Sequence, residues 1–120
     1  MPYRVAIASS DGESVNRHFG QARSFLVYEI DAGNASFVED REIELIPGEA
    51  AHSDENMNIF ARALSDCSAI FVRRIGARSA QYLQSRNIRT FEVDFSLNRI
   101  ITALLKTRVF GNEKATMRPG

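Results

Sequence analysis

The residues best suited to chemistry lie near the start of the chain, in the stretch VAIASSDGESVNRHFGQARSFLVYEID. Two apolar runs, residues 5–8 and 25–30, flank a link holding Ser10, Asp11, Gly12, His18, Phe19 and Gly20. A turn between antiparallel strands needs only a few residues, so a longer polar link calls for another purpose. His18 is one of only two histidines. Its imidazole is a competent ligand for iron, and it can equally close the loop by hydrogen bonding. Gly12 and Gly20 permit close backbone approach. Farther on, RRIGARS sets Arg73, Arg74 and Arg78 around Gly76, just ahead of a helical pattern. Arginines fork onto carboxylate or phosphate, and a first helical turn offers unpaired N–H groups to an anion. Neighbours on a strand face opposite sides, so Arg73 and Arg74 cannot both enter one site.

Positioning these groups falls to a chain of 120 residues, a common size for one domain and enough for a core without metal or disulfide staples. Fifteen basic residues balance fifteen acidic ones. With no global field, nucleic acid and acidic membrane surfaces are not expected as partners. Cys67 is the single cysteine, which excludes an internal disulfide and a CxxC pair and suits a reducing compartment. No apolar run reaches the length of a signal-peptide core or a membrane span, so a cytoplasmic location is expected.

The elements follow from periodicity. Residues 3–8 alternate Tyr3, Val5 and Ile7 against small alanines, residues 24–30 are nearly continuously apolar, and DAGN turns the chain into a third strand over 36–46. In that strand Phe37, Ile43 and Leu45 alternate with Asp40, Glu42 and Glu44, the pattern of an edge with one wet face. Ser53 can cap a helix carrying Met57, Phe60, Ala61 and Leu64. A buried strand over 69–72, a helix through Ala80 and Leu83, a strand over 90–93 and a helix capped by Ser96, with Leu97, Ile100, Ile101, Leu104 and Leu105 on one stripe, complete the pattern. The order β-β-β-α-β-α-β-α predicts an α/β fold: a five-stranded mixed sheet with helices on its faces, the element order of the ribonuclease-H-like motif. One domain over 1–110 and a flexible polar tail over 111–120 are expected.

Following strand directions, the long loop, the 47–55 link with His52, and the segment 73–78 share the rim at the carboxyl ends of the parallel strands, where open α/β sheets bind ligands. Cys67 falls at the opposite end. There it is expected to be a small buried hydrophobe. His52, in an exposed Ser- and Glu-rich loop, is expected to be solvated.

At SSDGESVNRHFGQARSFLVYEID and LSDCSAIFVRRIGARSAQYLQSRNIRTFEV the sequence resembles the dinitrogenase iron–molybdenum cofactor biosynthesis family, whose members include NifX-type carriers and the C-terminal domain of NifB-type proteins. Ser10, Asp11, Gly12, Val15, His18, Phe19 and Gly20 match its first motif; Asp66, Cys67, Arg74, Ile75, Gly76, Ala80 and Leu83 match its second. The resemblance implies a non-enzymatic carrier of iron–molybdenum cofactor or a precursor iron–sulfur cluster, working with nitrogenase assembly proteins. It implies a binding set of Ser10, Asp11, Gly12, His18, Phe19, Gly20, Arg74 and Gly76, with His18 on the metal. Many relatives carry a Cys before the first helix, where this chain reads PGEAAHSDENMN and offers His52 instead.

Other classes are open from the residues alone: a metal-free protein-interaction module, or a small-anion sensor built on Arg74. A nuclease-like carboxylate site is not expected, because the first strand carries no acid. No P-loop, nucleophile triad or HExxH is present.

Overall fold

A computed structural model describes residues 2–106 of the chain. The expected tail over 111–120 and the end of the domain at 110 lie outside them. Strands β1 (Tyr3–Ile7), β2 (Ser24–Asp31), β3 (Asn34–Glu42), β4 (Cys67–Val72) and β5 (Arg89–Glu92) form one sheet in the order β3-β2-β1-β4-β5. β2 runs antiparallel to β1 and β3, whereas β1, β4 and β5 are parallel. Helices α1 (Asp54–Ala63), α2 (Ala77–Ser85) and α3 (Leu97–Leu105) follow at the expected places. Ser53 and Ser96 cap α1 and α3 by accepting the N–H of Asn56 and Arg99, each at 3.1 Å.

The alternation in β1 divides the core. Ala6 and Ala8 face α1 and α2, whose Met57, Phe60, Leu64 and Leu83 close over them. Tyr3, Val5 and Ile7 face α3 through Leu97, Ile100 and Leu104. Small residues under two helices and larger ones under a single helix let both layers fill. Among the described residues no helix is long and apolar enough to cross a membrane.

Several expected boundaries shift. β3 lies at the edge as expected, but it ends at Glu42 rather than 46. Beyond Ile43, which still bonds the Arg23 carbonyl at 2.8 Å, the backbone leaves the ladder and Ile46 donates to the Asn56 side chain at 2.7 Å. The register also slips between Val27 and Tyr28, leaving Val38 as the extra residue. That slip breaks the expected alternation: Ile43 is buried, while Phe37 lies 56% exposed. β4 starts two residues earlier than expected, so Cys67 and Ser68 belong to the strand and are buried with it. The hairpin turn places Ala32 (φ 51°) and Gly33 (φ 84°) in left-handed conformations, the two-residue geometry that matches strand twist.

Candidate functional site

Between β1 and β2 the chain runs along the carboxyl ends of the parallel strands and is stitched to both flanks. Ala8 donates to the Phe71 carbonyl (2.9 Å), Leu97 to Glu13 (2.8 Å), Val15 to Phe95 (3.2 Å), Arg73 to Arg17 (2.8 Å) and Phe19 to Arg74 (2.8 Å). Backbone polar groups that would otherwise hang over the sheet end thus find partners, which is why so long a loop holds one shape. The residues of this loop divide by what their side chains do.

Asp11 organises the first bend. Its Oδ1 accepts the N–H groups of Glu13 (2.8 Å) and Ser14 (3.0 Å) and the Ser9 hydroxyl (3.1 Å). These backbone donors, with the hydroxyls of Ser9 and Ser14 assisting, hold its carboxyl down at about 2. Gly12, at φ 74°, donates to Ser9 Oγ at 3.0 Å. A side chain here would be strained, so Gly12 serves the backbone. Ser10 and Asn16 exchange two hydrogen bonds of 3.0 and 2.9 Å across the same bend. Asp11 and Ser10, carried over as binding residues, therefore spend their polar atoms inside the loop.

Phe19, carried over as a binding residue, turns inward. It is 2% exposed, with its ring 4.3 Å from Phe60 and 6.4 Å from Phe25 by centroids, so it anchors the loop in the α1-side core. Gly20 lies in a single 3-10 turn, Phe19–Gln21, without the positive φ that would demand glycine. A Cβ there would meet only Ala51 Cβ, at 3.8 Å. Gly20 and Ala51 are thus neighbours, and the loops bearing His18 and His52 lie side by side there.

His18 behaves differently. Its backbone pairs with Arg74 in an isolated parallel bridge, and its carbonyl accepts the N–H groups of Gln21 (3.0 Å) and Ala22 (3.1 Å). Loop closure is thus done by the main chain. The imidazole is exposed and makes no hydrogen bond among the described residues. Residues paired across a ladder share a face, so His18 and Arg74 project together.

Of the three rim arginines, Arg73 reaches Asp94 at 3.4 Å and Arg78 reaches Asp54 at 3.5 Å. Among the described residues Arg74 alone of the three faces no carboxylate; its Nη1 has a 3.4 Å contact to the neighbouring Arg73 carbonyl. Gly76 is the N-cap of α2 and supplies no side-chain cap, so the first-turn N–H groups stay open. Glu92 Oε2 accepts the Ile75 N–H at 2.8 Å and fixes the approach to that helix. Among the described residues no group of three or more His, Cys, Asp or Glu is placed to hold a metal ion.

Two structural side chains escaped the sequence reading. Asn56 is fully buried, accepting from Ile46 (2.7 Å) and donating to the Ala50 carbonyl (2.9 Å), and so shapes the loop that carries His52. An amide at an apolar-phase position of a predicted helix, three residues after its cap, is the signal that could have found it. Glu92 left no such signal, because its partner is a backbone N–H brought close only by the sheet.

Cys67 sits at the other end of β4, beside Arg4 of β1, as expected. Burial, aided by the Asp66 charge, pushes its thiol up to about 12.

Comparisons with known proteins bear on this arrangement. The pattern of the family described as dinitrogenase iron-molybdenum cofactor matches residues 1–107. Protein NifX of Rhodobacter capsulatus is 38% identical over 82 residues, covering 66% of this chain and 52% of that protein. The FeMo cofactor biosynthesis protein NifB of Bradyrhizobium diazoefficiens is 33% identical over 72 residues, 60% of this chain and 14% of that protein. The chain therefore spans about half the length of NifX and a small part of NifB. Among solved structures, PH0822 superposes with a TM-score of 0.67 at 24% identity, covering 86% of this chain and 90% of that one. The apo orange protein of Desulfovibrio gigas gives 0.61 at 17% identity, covering 86% and 87%. These two likenesses establish the α/β fold, and the family match over nearly the whole described chain establishes more: the chain belongs to the dinitrogenase iron–molybdenum cofactor family.

Proposed function

We propose that this domain takes part in nitrogenase cofactor assembly as a non-enzymatic carrier of iron–molybdenum cofactor or a precursor iron–sulfur cluster. His18 is the protein's ligand to the metal. Arg74 and the open N–H groups at the start of α2 stabilise the cluster's negative charge. The observation carrying this reading is the His18–Arg74 bridge: the two backbones are fixed side by side while both side chains stay exposed and uncommitted. The relatives' names support the assembly setting, with the cluster and other assembly proteins as partners. We read the strand order as a ribonuclease-H-like motif and the location as cytoplasmic.

A metal-free small-anion module is the second reading. It is favoured by the lack of any three-residue metal-ligand group among the described residues. Anaerobic titration with isolated cofactor, followed by metal analysis, separates the two. The carrier reading requires saturable uptake of iron and molybdenum, lost in His18→Ala at unchanged melting temperature. Arg74→Ala should weaken uptake by at least about tenfold, the effect of one charge-assisted hydrogen bond, and added salt should weaken it further. Equal affinity of His18→Ala and the parent sinks the ligand role; inorganic phosphate binding that depends on Arg74 alone would favour the anion module.

A further inference from the structure

On the far side of the long loop from Arg74, a groove of about 560 Å³ opens between the loop's base and the upper ends of β2 and β3. Its two walls carry opposite charges, Arg17 and Arg23 from the loop and Asp40 and Glu42 from the edge strand. Within the described residues no ion pair closes the walls on each other, and the side chains of Arg17, Asp40 and Glu42 have no hydrogen-bond or ion-pair partner. Arg23 Nη1 is tied back to the carbonyls of Gly20 (2.8 Å) and Ala22 (3.1 Å), while Asp40 and Glu42 are fixed in register with Leu26 and Ser24. Ser9, 6% exposed, also lines the groove, its hydroxyl already engaged with Asp11 and Gly12.

Such walls discriminate by charge pattern. A purely anionic ligand would lie against Asp40 and Glu42, and a purely cationic one against Arg17 and Arg23; each would meet a repulsive wall. An apolar ligand would leave four charges facing it. A molecule bearing both signs a few bonds apart satisfies both sides.

We propose that this groove is a second ligand site, for a small zwitterion of the α-amino-acid class, with its carboxylate toward Arg17 and Arg23 and its ammonium toward Asp40 and Glu42. The site is independent of the cluster reading and shares with its candidate residues only Ser10, which lines the groove. The experiment is a backbone-amide NMR titration of the full chain with the free proteinogenic amino acids, with succinate and putrescine as single-sign probes. Saturable shifts at Ser9, Gln21 and Ser24 are expected with at least one amino acid and with neither single-sign probe. Arg17→Ala and Glu42→Gln should each weaken binding by about tenfold, the loss of one charge-assisted hydrogen bond, at an unchanged melting temperature. The proposal is overturned if no amino acid saturates, if succinate or putrescine binds as tightly as the best amino acid, or if either variant binds like the parent. Any of those results leaves the His18 titration untouched.

Discussion

At the foot of β4, Asp66 accepts three hydrogen bonds from arginines, two from Arg41 at 2.7 and 3.1 Å and one from Arg4 at 3.1 Å. Arg41 also donates to the Ala63 carbonyl at the end of α1 (2.9 Å) and pairs with Glu39 (3.0 Å). Burial alone would raise the Asp66 carboxyl, but the hydrogen bonds and charge of Arg41, with Arg4 assisting, hold it below its ordinary value. Beyond the other end of the strand, among the described residues, Arg74 faces no carboxylate and His18 makes no side-chain hydrogen bond. Residues of one family motif thus serve two ends. The network at Asp66 ties β1, β3 and α1 together, whereas the rim joins its backbones by hydrogen bonds and, among the described residues, leaves the side chains of His18 and Arg74 without a carboxylate partner. Side chains that must meet a ligand cannot already be satisfied internally, so the contrast is what the proposed site at the rim requires.

Phe19→Ala gives the sharpest test of where that division falls, because the residue belongs to the rim motif yet is buried against Phe60. Loss of about 3–5 kcal/mol in denaturant unfolding is expected, as for other buried phenylalanines. A near-neutral result would move Phe19 to the surface set.

Asp66→Ala probes the opposite end. It takes two hydrogen bonds from Arg41, whose side chain is only 15% exposed and keeps just the Ala63 carbonyl and Glu39, and should cost about 1–3 kcal/mol, the range for losing charge-assisted partners. Its effect on cluster uptake should be nil. Reduced uptake at full stability would erase the distinction between the two ends.

Cys67→Ser should cost less, about 1 kcal/mol, the low end for burying a hydroxyl, because Asp66 Oδ1 lies 3.6 Å from Sγ and can accept from it. In the native protein the thiol, pushed up to about 12, should resist thiol reagents at neutral pH. Rapid modification would show that this end of the sheet opens.

The smallest effect belongs to Asp11. Its carboxyl is depressed from 3.8 to about 2, so the stabilisation it gives is fully present above 3.8 and lost as pH falls through about 2. The melting-temperature gap between the parent and Asp11→Asn should stay constant above that window and shrink within it. A gap that persists unchanged through the window would show that the charge on Asp11 contributes nothing to the loop.

The sequence by itself determined the element order, the strand directions and hence which loops share an end, since periodicity, caps and the handedness of crossovers depend only on local residue types and chain geometry. That was enough to place His18 with the arginines and Cys67 far from them. It could not tell Phe19 from a surface residue: HFG reads alike whether the ring enters the core or meets a ligand, and only the seat beside Phe60 decides. Nor could it foresee the register slip at Val38, which depends on how β3 pairs with β2. Family likeness singled out Arg74 among the arginines, but the reason it stands free is tertiary. Asp94 and Asp54 come within reach of Arg73 and Arg78 only when β5 and α1 pack beside them, and among the described residues no carboxylate is brought to Arg74. Long-range pairing of this kind leaves no mark in local sequence, because it joins residues whose separation along the chain is set by the fold.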